Sequence, residues 1–189
     1  MQDRSQQSWV QPSPLSLSPD PGLPETSPPA GASSRRARTE IVASLPVDFE
    51  SINLREWQLR AGYGLDQCAQ DEKLVGNAVT ALRMQPACVL AIAGILPRWP
   101  GHGTAWAFIS DDITGREWVD ITRATVEYLD NALATDYHRV EAWAHADPPE
   151  WRDIACGWLE RLGFKREGTA RKFTPDGADM IMYARTRDG

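Results

Sequence analysis

The sequence predicts a layered α/β (α+β) domain, a mixed central sheet flanked by helices, carried behind a disordered N-terminal tail. Three observations predict it. Asp147 to Phe164 (DPPEWRDIACGWLERLGF) writes out a complete amphipathic helix that leads straight into a strand. Ala87 to Leu96 is a continuous apolar run of strand length, the pattern of a sheet covered on both faces. From residue 39 onward, helical and strand periods follow one another in the order expected of layers around one core.

Residues 1–38 hold seven prolines (Pro12, Pro14, Pro19, Pro21, Pro24, Pro28, Pro29) among Ser, Gln and Gly. That composition cannot bury enough apolar surface to offset ordering, so this stretch is read as a disordered tail and residues 39–189 as the folded domain. Trp9 with Leu15, Leu17 and Leu23 reads first as part of an idle linker, with a short docking motif for a protein partner as the alternative, and Arg35, Arg36 and Arg38 read as a solvated hinge. Ile41, Ala43 and Leu45 alternate as an opening strand before Pro46. Phe49, Ile52, Leu54, Trp57 and Leu59, running to Gly62 and Gly64, suit helix or strand, with helix favoured over the second half. Leu65, Cys68, Ala69, Val75, Ala78, Val79 and Leu82 share one helical face, which predicts a long amphipathic helix over 65–84.

Pro86 breaks that pattern, the apolar run forms a central strand, and Pro97–Gly103 turns the chain into a returning strand, Thr104–Ser110. Gly101 and Gly103 belong to this hairpin rather than to a phosphate loop. A helix over about 115–134 turns Trp118, Ile121, Thr125, Leu129 and Ala132 inward. His138–His145 (HRVEAWAH) then alternates, with Val140, Ala142 and Ala144 on one face and Arg139, Glu141, Trp143 and His145 on the other. In the helix that follows, Asp147 is the expected N-cap, with Pro148 at the first helical position and Glu150 completing a capping box. Trp151, Ile154, Ala155, Trp158, Leu159 and Leu162 form the inward stripe. Gly163 supplies a left-handed stop and Phe164 folds back on the last turn. A strand from Phe164, a turn at Thr174–Gly177 and a last strand, Asp179–Ala184, close the domain.

Acidic residues number 26 against 20 basic, for a net charge of −6, which argues against a general nucleic-acid coat and against attraction to anionic membrane. The longest apolar run is half of the roughly 20 residues a membrane helix requires. The opening MQDRSQQSWV has no apolar core of a secretory leader. Cys68, Cys88 and Cys156 are odd in number and form no CxxC pair, which suits a reducing cytoplasm, with Cys156 a small core residue. His138 and His145 lie an odd number apart on one strand and so face opposite ways, which gives no metal site.

The stretch YHRVEAWAHADPPEWRDIACGWLERLGFKREGTARKFTPDGADMIMYAR resembles the C-terminal half of the GCN5-related N-acetyltransferase (GNAT) superfamily, in particular its ribosomal-protein acetyltransferase branch. The likeness rests on Leu162, Gly163 and Phe164, then Glu167, Gly168, Arg171, Asp176, Gly177 and Asp179, in that order. Over the whole chain, Trp99-Pro100-Gly101 and Thr104-Ala105-Trp106 are similar to turns and strands of small acetyltransferase-like phage proteins. The resemblance implies that Ala105–Ser110 and Arg139–Ala144 are neighbouring parallel strands that splay, with the pantetheine arm of acetyl-CoA in the gap. Its pyrophosphate would meet the N-terminus of the following helix. Phe108, Ile109, Ser110, Thr114, Gly115 and Arg116 are the cofactor contacts so implied. An amine nucleophile must lose a proton near that gap, and Glu141 and His145 are the candidates to take it.

Two departures stand beside the likeness. The family's Q/R-x-x-G-x-G/A loop is here Asp111-Asp-Ile-Thr-Gly-Arg116, and the helix positions that usually carry Asn and Ser or Tyr hold Arg152, Ala155 and Leu159. The resemblance therefore implies either an acetyl-CoA-dependent N-acetyltransferase that transfers directly to a primary amine, or a catalytically inactive phage or virion-associated structural or interaction protein. Its expected place is the cytoplasm, or the host cytoplasm or virion if the chain is phage-encoded.

Overall fold

The computed structural model describes residues 39–189 except 56, 57, 59–64 and 189, with the side chains of 65–67 also left aside. The tail, its Trp9 motif and arginine hinge, and Trp57, Leu59, Gly62 and Gly64 lie outside the described residues. The elements are β1 (Thr39–Ala43), α1 (Pro46–Ser51), α2 (Leu65–Gln70), α3 (Glu72–Gly76), β2 (Ala78–Met84), β3 (Ala87–Trp99), β4 (His102–Ile109), α4 (Gly115–Thr135), β5 (Arg139–His145), α5 (Pro149–Arg161), β6 (Lys165–Ala170) and β7 (Met180–Thr186). The strands form one seven-stranded sheet in the order β1-β2-β3-β4-β5-β7-β6. Every pairing is antiparallel except β4 with β5.

Strand parity assigns the two faces. Ile95, Ala105, Val140, Ala142 and Tyr183 pack with Leu129 and Leu133 of α4 and Leu159 of α5, while Ile92, Trp106 and Phe108 pack with Phe49 of α1 and Cys68 of α2. The α4/α5 face therefore takes the odd positions of β4 and the even positions of β5. The α1 face takes the rest, Glu141, Trp143 and His145 among them. Phe49, Leu90, Ile92, Ile95, Val140 and Tyr183 are fully buried, each worth about 1.5–3 kcal/mol of transfer free energy.

The long helix expected over 65–84 is two short helices and a strand. Asp71 caps a fresh helix by accepting from the N–H groups of Lys73 and Leu74 at 3.0 and 3.1 Å, and that helix ends at Gly76. Residues 78–84 satisfy helical spacing, but two neighbouring strands offer them backbone partners on both edges, and tertiary pairing overrides the local pattern. Helix also falls on the first half of the 49–59 segment, as α1; in the second half, where helix is expected, 56, 57 and 59 lie outside the described residues.

Helix α5 starts later than expected: Pro148 is its N-cap, Pro149 its first residue, and Asp147 makes no cap. Its buried stripe is narrower too, with Ile154 51% exposed while Leu159 and Leu162 are buried. The stop is as expected, with Gly163 at φ +85°, Phe164 buried and its N–H bonded to Leu159 O at 3.0 Å. The β3–β4 turn is tighter than 97–103, since β3 runs to Trp99 and β4 begins at His102. Gly101 there has φ +76°, and a Cβ on it would lie 2.2 Å from the His138 ring. Ile41 is 43% exposed, because β1 is the sheet edge and only one side of it is covered. Among the described residues no helix is long and apolar enough to cross a membrane.

Candidate active site

The parallel pair β4–β5 is short. His102, Gly103 and Thr104 pair with Arg139, Val140 and Glu141, after which β4 runs on to Ile109 and β5 to His145 without pairing to each other. The sheet opens at that point into a fork. Thr104 and Glu141 are the last partners, so Glu141 stands at the apex, on the α1 face.

The carboxylate of Glu141 is held there. Arg139 Nε donates to its Oε1 at 2.9 Å, and His102 Nε2 lies 3.3 Å from the same oxygen. His102 is buried, its Nε2 has no hydrogen-bond partner among the described residues, and its ring meets Trp99 edge-on with centroids 4.1 Å apart. Arg139 also donates both terminal nitrogens to Glu167. That guanidinium holds the Glu167 carboxyl below the usual carboxylate range, while its hydrogen bonds to Glu167 and Glu141 raise its own affinity for its proton.

Inside the fork, alternate peptide groups of β4 turn toward the missing neighbour. The Ser110 N–H bonds Leu90 O of β3, so Ala107 and Ile109 point the other way, into the opening. A side-chain amide occupies them. Gln58 Nε2 donates to Ala107 O at 3.2 Å and the Ile109 N–H donates to Gln58 Oε1 at 3.0 Å, with Gln58 itself 5% exposed. The amide thus stands in for one peptide unit of an absent strand.

Beyond Ile109 the chain enters α4 through Asp111 and Asp112. The Thr114 N–H and hydroxyl both donate to Glu117 Oε2 at 2.8 Å, and Arg83 of β2 donates to both oxygens of Glu117 at 2.6 and 2.7 Å. Glu117 is 4% exposed, and the Arg83 guanidinium first, then the Thr114 donors, hold its carboxyl down to about 2. Asp111 faces Arg55 Nε at 3.5 Å, and Asp112 accepts from Asn53 at 3.2 Å. A groove of about 370 Å³ lies beside this loop between α4 and α5, lined by Arg55, Trp118, Asp153, Ile154, Gly157 and Arg161. At depth the two helices are joined by Trp118 and Trp158, centroids 5.1 Å apart, and by Trp158 Nε1 donating to Thr122 Oγ1 at 3.1 Å. A second depression, about 420 Å³, lies at the other end of α4 around Arg185 and Arg187, away from the fork.

No family profile matches the sequence, and no curated protein matches it in sequence. Solved structures do match in shape. An acetyltransferase of the GNAT family from Bacillus anthracis superposes with a TM-score of 0.63 at 12% identity, covering 82% of this chain and 98% of that one. Ribosomal-protein-S5-alanine acetyltransferase from Vibrio fischeri gives 0.56 at 18% identity over 79% and 93%. Ard1 from Thermoplasma volcanium gives 0.62 at 14% over 78% and 97%. The fold is the GNAT fold.

Within that fold the structure gathers some of the expected residues and separates others. Glu141 is at the apex of the fork, whereas His145 lies at the far end of β5, near Asp176 of the β6–β7 loop. The Thr174 hydroxyl holds the Asp176 carboxyl below its usual range and His145 adds to this. Phe108 and Ile109 are buried in the β4 wall, Ser110 is fully buried against Asp112, and Thr114, Gly115 and Arg116 are exposed at the start of α4. The sequence reading missed Gln58, Arg83, Glu117 and His102. Thr114-x-x-Glu117 is a capping-box spacing that would have singled out Glu117; nothing local marks Gln58.

The residues around the fork fit an amide-bearing thioester such as acetyl-CoA. The open edge of β4 already binds an amide, that of Gln58, in the way an added strand would. Asp112 and Glu117 each accept from a donor of another element, Asp111 is ion-paired with Arg55, and Arg116 makes no ion pair among the described residues. Among the described residues the buried Arg55 Nε has its ion pair with Asp111 at 3.5 Å but no hydrogen bond.

Proposed function

We propose that this chain is an acyl-CoA-dependent N-acyltransferase, with acetyl-CoA as donor and a primary amine as acceptor, in which Glu141 receives the acceptor's proton. The observation that carries the reading is the opening of β4 from β5 immediately beyond Thr104 and Glu141, with the carboxylate at the apex. When bound, acetyl-CoA supplies an acyl group activated as a thioester. The peptide groups of Ala107 and Ile109 would hold the amide of its arm once Gln58 withdraws. The first turn of α4 with Arg116, and Arg55 and Arg161 along the groove, would face its phosphates.

The acceptor ammonium gives one proton to Glu141, oriented by Arg139 and adjoining His102, which frees its lone pair; the amine then loses a second proton, to solvent, as its bond to the acyl carbon forms and the bond from that carbon to sulfur breaks. The leaving thiolate takes its proton from solvent, because Arg152, Ala155 and Leu159 place no hydroxyl on α5. The test is thiol release across an amine panel with wild type and Glu141→Gln. The variant should lose about 10²–10⁴-fold in kcat/KM while its acetyl-CoA affinity is kept. Full activity in the variant would remove Glu141 from the mechanism.

One observation favours a second reading. Gln58 already satisfies the edge that an acyl-CoA arm would use, and α5 carries no hydroxyl to protonate a leaving thiolate. A non-catalytic member of the fold, serving as a virion-associated structural or interaction protein, needs neither. Acetyl-CoA binding with no thiol release against any amine would select it.

A further inference from the structure

We propose that the acceptor taken at the fork is a small cationic amine built on an aromatic ring, its ammonium against Glu141 and its ring against a slab formed by Trp143 and Phe173; this rests on the reading of the fork as an N-acyltransferase site. Trp143 lies two residues past Glu141 on the same face of β5, about 7 Å along the strand. Level with it across the fork, two residues past Thr104, is Trp106.

Trp143 is half-buried and stacks on Phe173, with centroids 4.7 Å apart and planes within 10° of parallel. Phe173 comes from the β6–β7 loop and is 56% exposed, so the slab reaches solvent through this ring. The loop holds it rigidly. The Lys172 N–H donates to Asp179 Oδ1 at 2.8 Å, the Phe173 N–H to Ala178 O at 2.9 Å, the Gly177 N–H to Thr174 O at 2.8 Å and the Ala178 N–H to Thr174 Oγ1 at 2.7 Å. A large apolar side chain fixed in this way and left uncovered is preorganised for a flat partner, since offset stacking extends to a third ring without ordering the loop.

Charge selects the other end of the ligand. Glu141 and Glu167 share one guanidinium, that of Arg139, while Arg98 spends its Nε on the Thr104 hydroxyl at 3.0 Å. With two carboxylates to one guanidinium, and His102 Nε2 3.3 Å from Glu141, the apex keeps carboxylate character for an ammonium, and Trp143, two residues along the strand, brings the slab within reach of an amine carried on a short spacer from its ring. An aliphatic amine would reach Glu141 but leave the slab uncovered.

The test compares 2-phenylethylamine, n-butylamine and an alanyl tripeptide, by thiol release with acetyl-CoA and, independently of the donor, by calorimetric titration of each amine alone. Phenylethylamine should exceed n-butylamine by at least about tenfold in kcat/KM and in affinity. Phe173→Ala, at an exposed position, should remove most of that advantage while changing n-butylamine less than about twofold, and Phe173→Trp should keep it. Equal use of the aliphatic amine, a preference for the peptide, or an aromatic preference untouched by Phe173→Ala would overturn the aromatic acceptor while leaving the acyltransferase reading in place. Binding of phenylethylamine through Phe173 with no thiol release would keep the aromatic site and overturn the acyltransferase reading instead.

Discussion

Gln58→Ala separates a structural amide from a competing one, because the two roles predict opposite changes in cofactor affinity. In the free protein the amide closes the Ala107 carbonyl and the Ile109 N–H through bonds of 3.2 and 3.0 Å inside a buried site. Removing it takes away two hydrogen bonds of about 0.5–1.5 kcal/mol each, part of which water restores at the two backbone groups, for a net loss of about 1–2 kcal/mol. The melting temperature should fall by roughly 2–8 °C, given about 2–4 °C per kcal/mol for a domain of this size. If the arm of acetyl-CoA takes the same two groups, Gln58 is displaced in the complex whether or not it is there. The variant then avoids the displacement, and its affinity for acetyl-CoA should rise by the same 1–2 kcal/mol, about five- to thirtyfold. Differential scanning fluorimetry and isothermal titration calorimetry on the same preparation read the two quantities. A lower melting temperature with unchanged or weaker acetyl-CoA affinity would refute the competition and make Gln58 a structural bridge only.

Two further outcomes concern the frame around the fork. Glu117 has its carboxyl depressed from 4.5 to about 2 in the folded protein, chiefly by Arg83, so its stabilisation is complete above about pH 4.5 and is lost as the pH falls toward 2. That loss is on the order of 3 kcal/mol at 1.36 kcal/mol per unit. Acid titration of the melting temperature should show it, Glu117→Gln should flatten it, and a variant as acid-sensitive as wild type in this window would place the effect elsewhere. Gly101→Ala, at φ +76° with the His138 ring 2.2 Å from the new Cβ, should destabilise by more than the about 1–2 kcal/mol of a left-handed residue alone. Urea denaturation showing less than that would mean the β3–β4 turn relaxes freely.

What the sequence revealed was decided by where one local period dominates. The stop at Gly163 and Phe164 was legible because a left-handed glycine and a returning aromatic are local signals, as was the buried alternation of Val140, Ala142 and Ala144. Residues 78–84 were misread because Ala78, Val79 and Leu82 satisfy a helical stripe, and only the neighbouring edges of β1 and β3 make them a strand. Ile154 was placed inward by the same periodic reasoning, though only part of that stripe meets the sheet. The fork carries no local mark, since where two parallel strands cease to pair depends on what lies between them, and only resemblance pointed to it. Gln58, in a segment ambiguous between helix and strand, meets Ala107 and Ile109 about fifty residues away, as Arg83 meets Glu117 thirty-four away. Contacts of that range are set by topology.

The measurement that bears most directly on the fork as an acyl-CoA site is the melting temperature of the protein with and without millimolar acetyl-CoA. At a hundredfold excess over the dissociation constant, binding stabilises by about 2.7 kcal/mol, a rise of roughly 5–10 °C. Such a rise, larger in Gln58→Ala than in wild type, is the expected result. No rise in either protein would contradict the account.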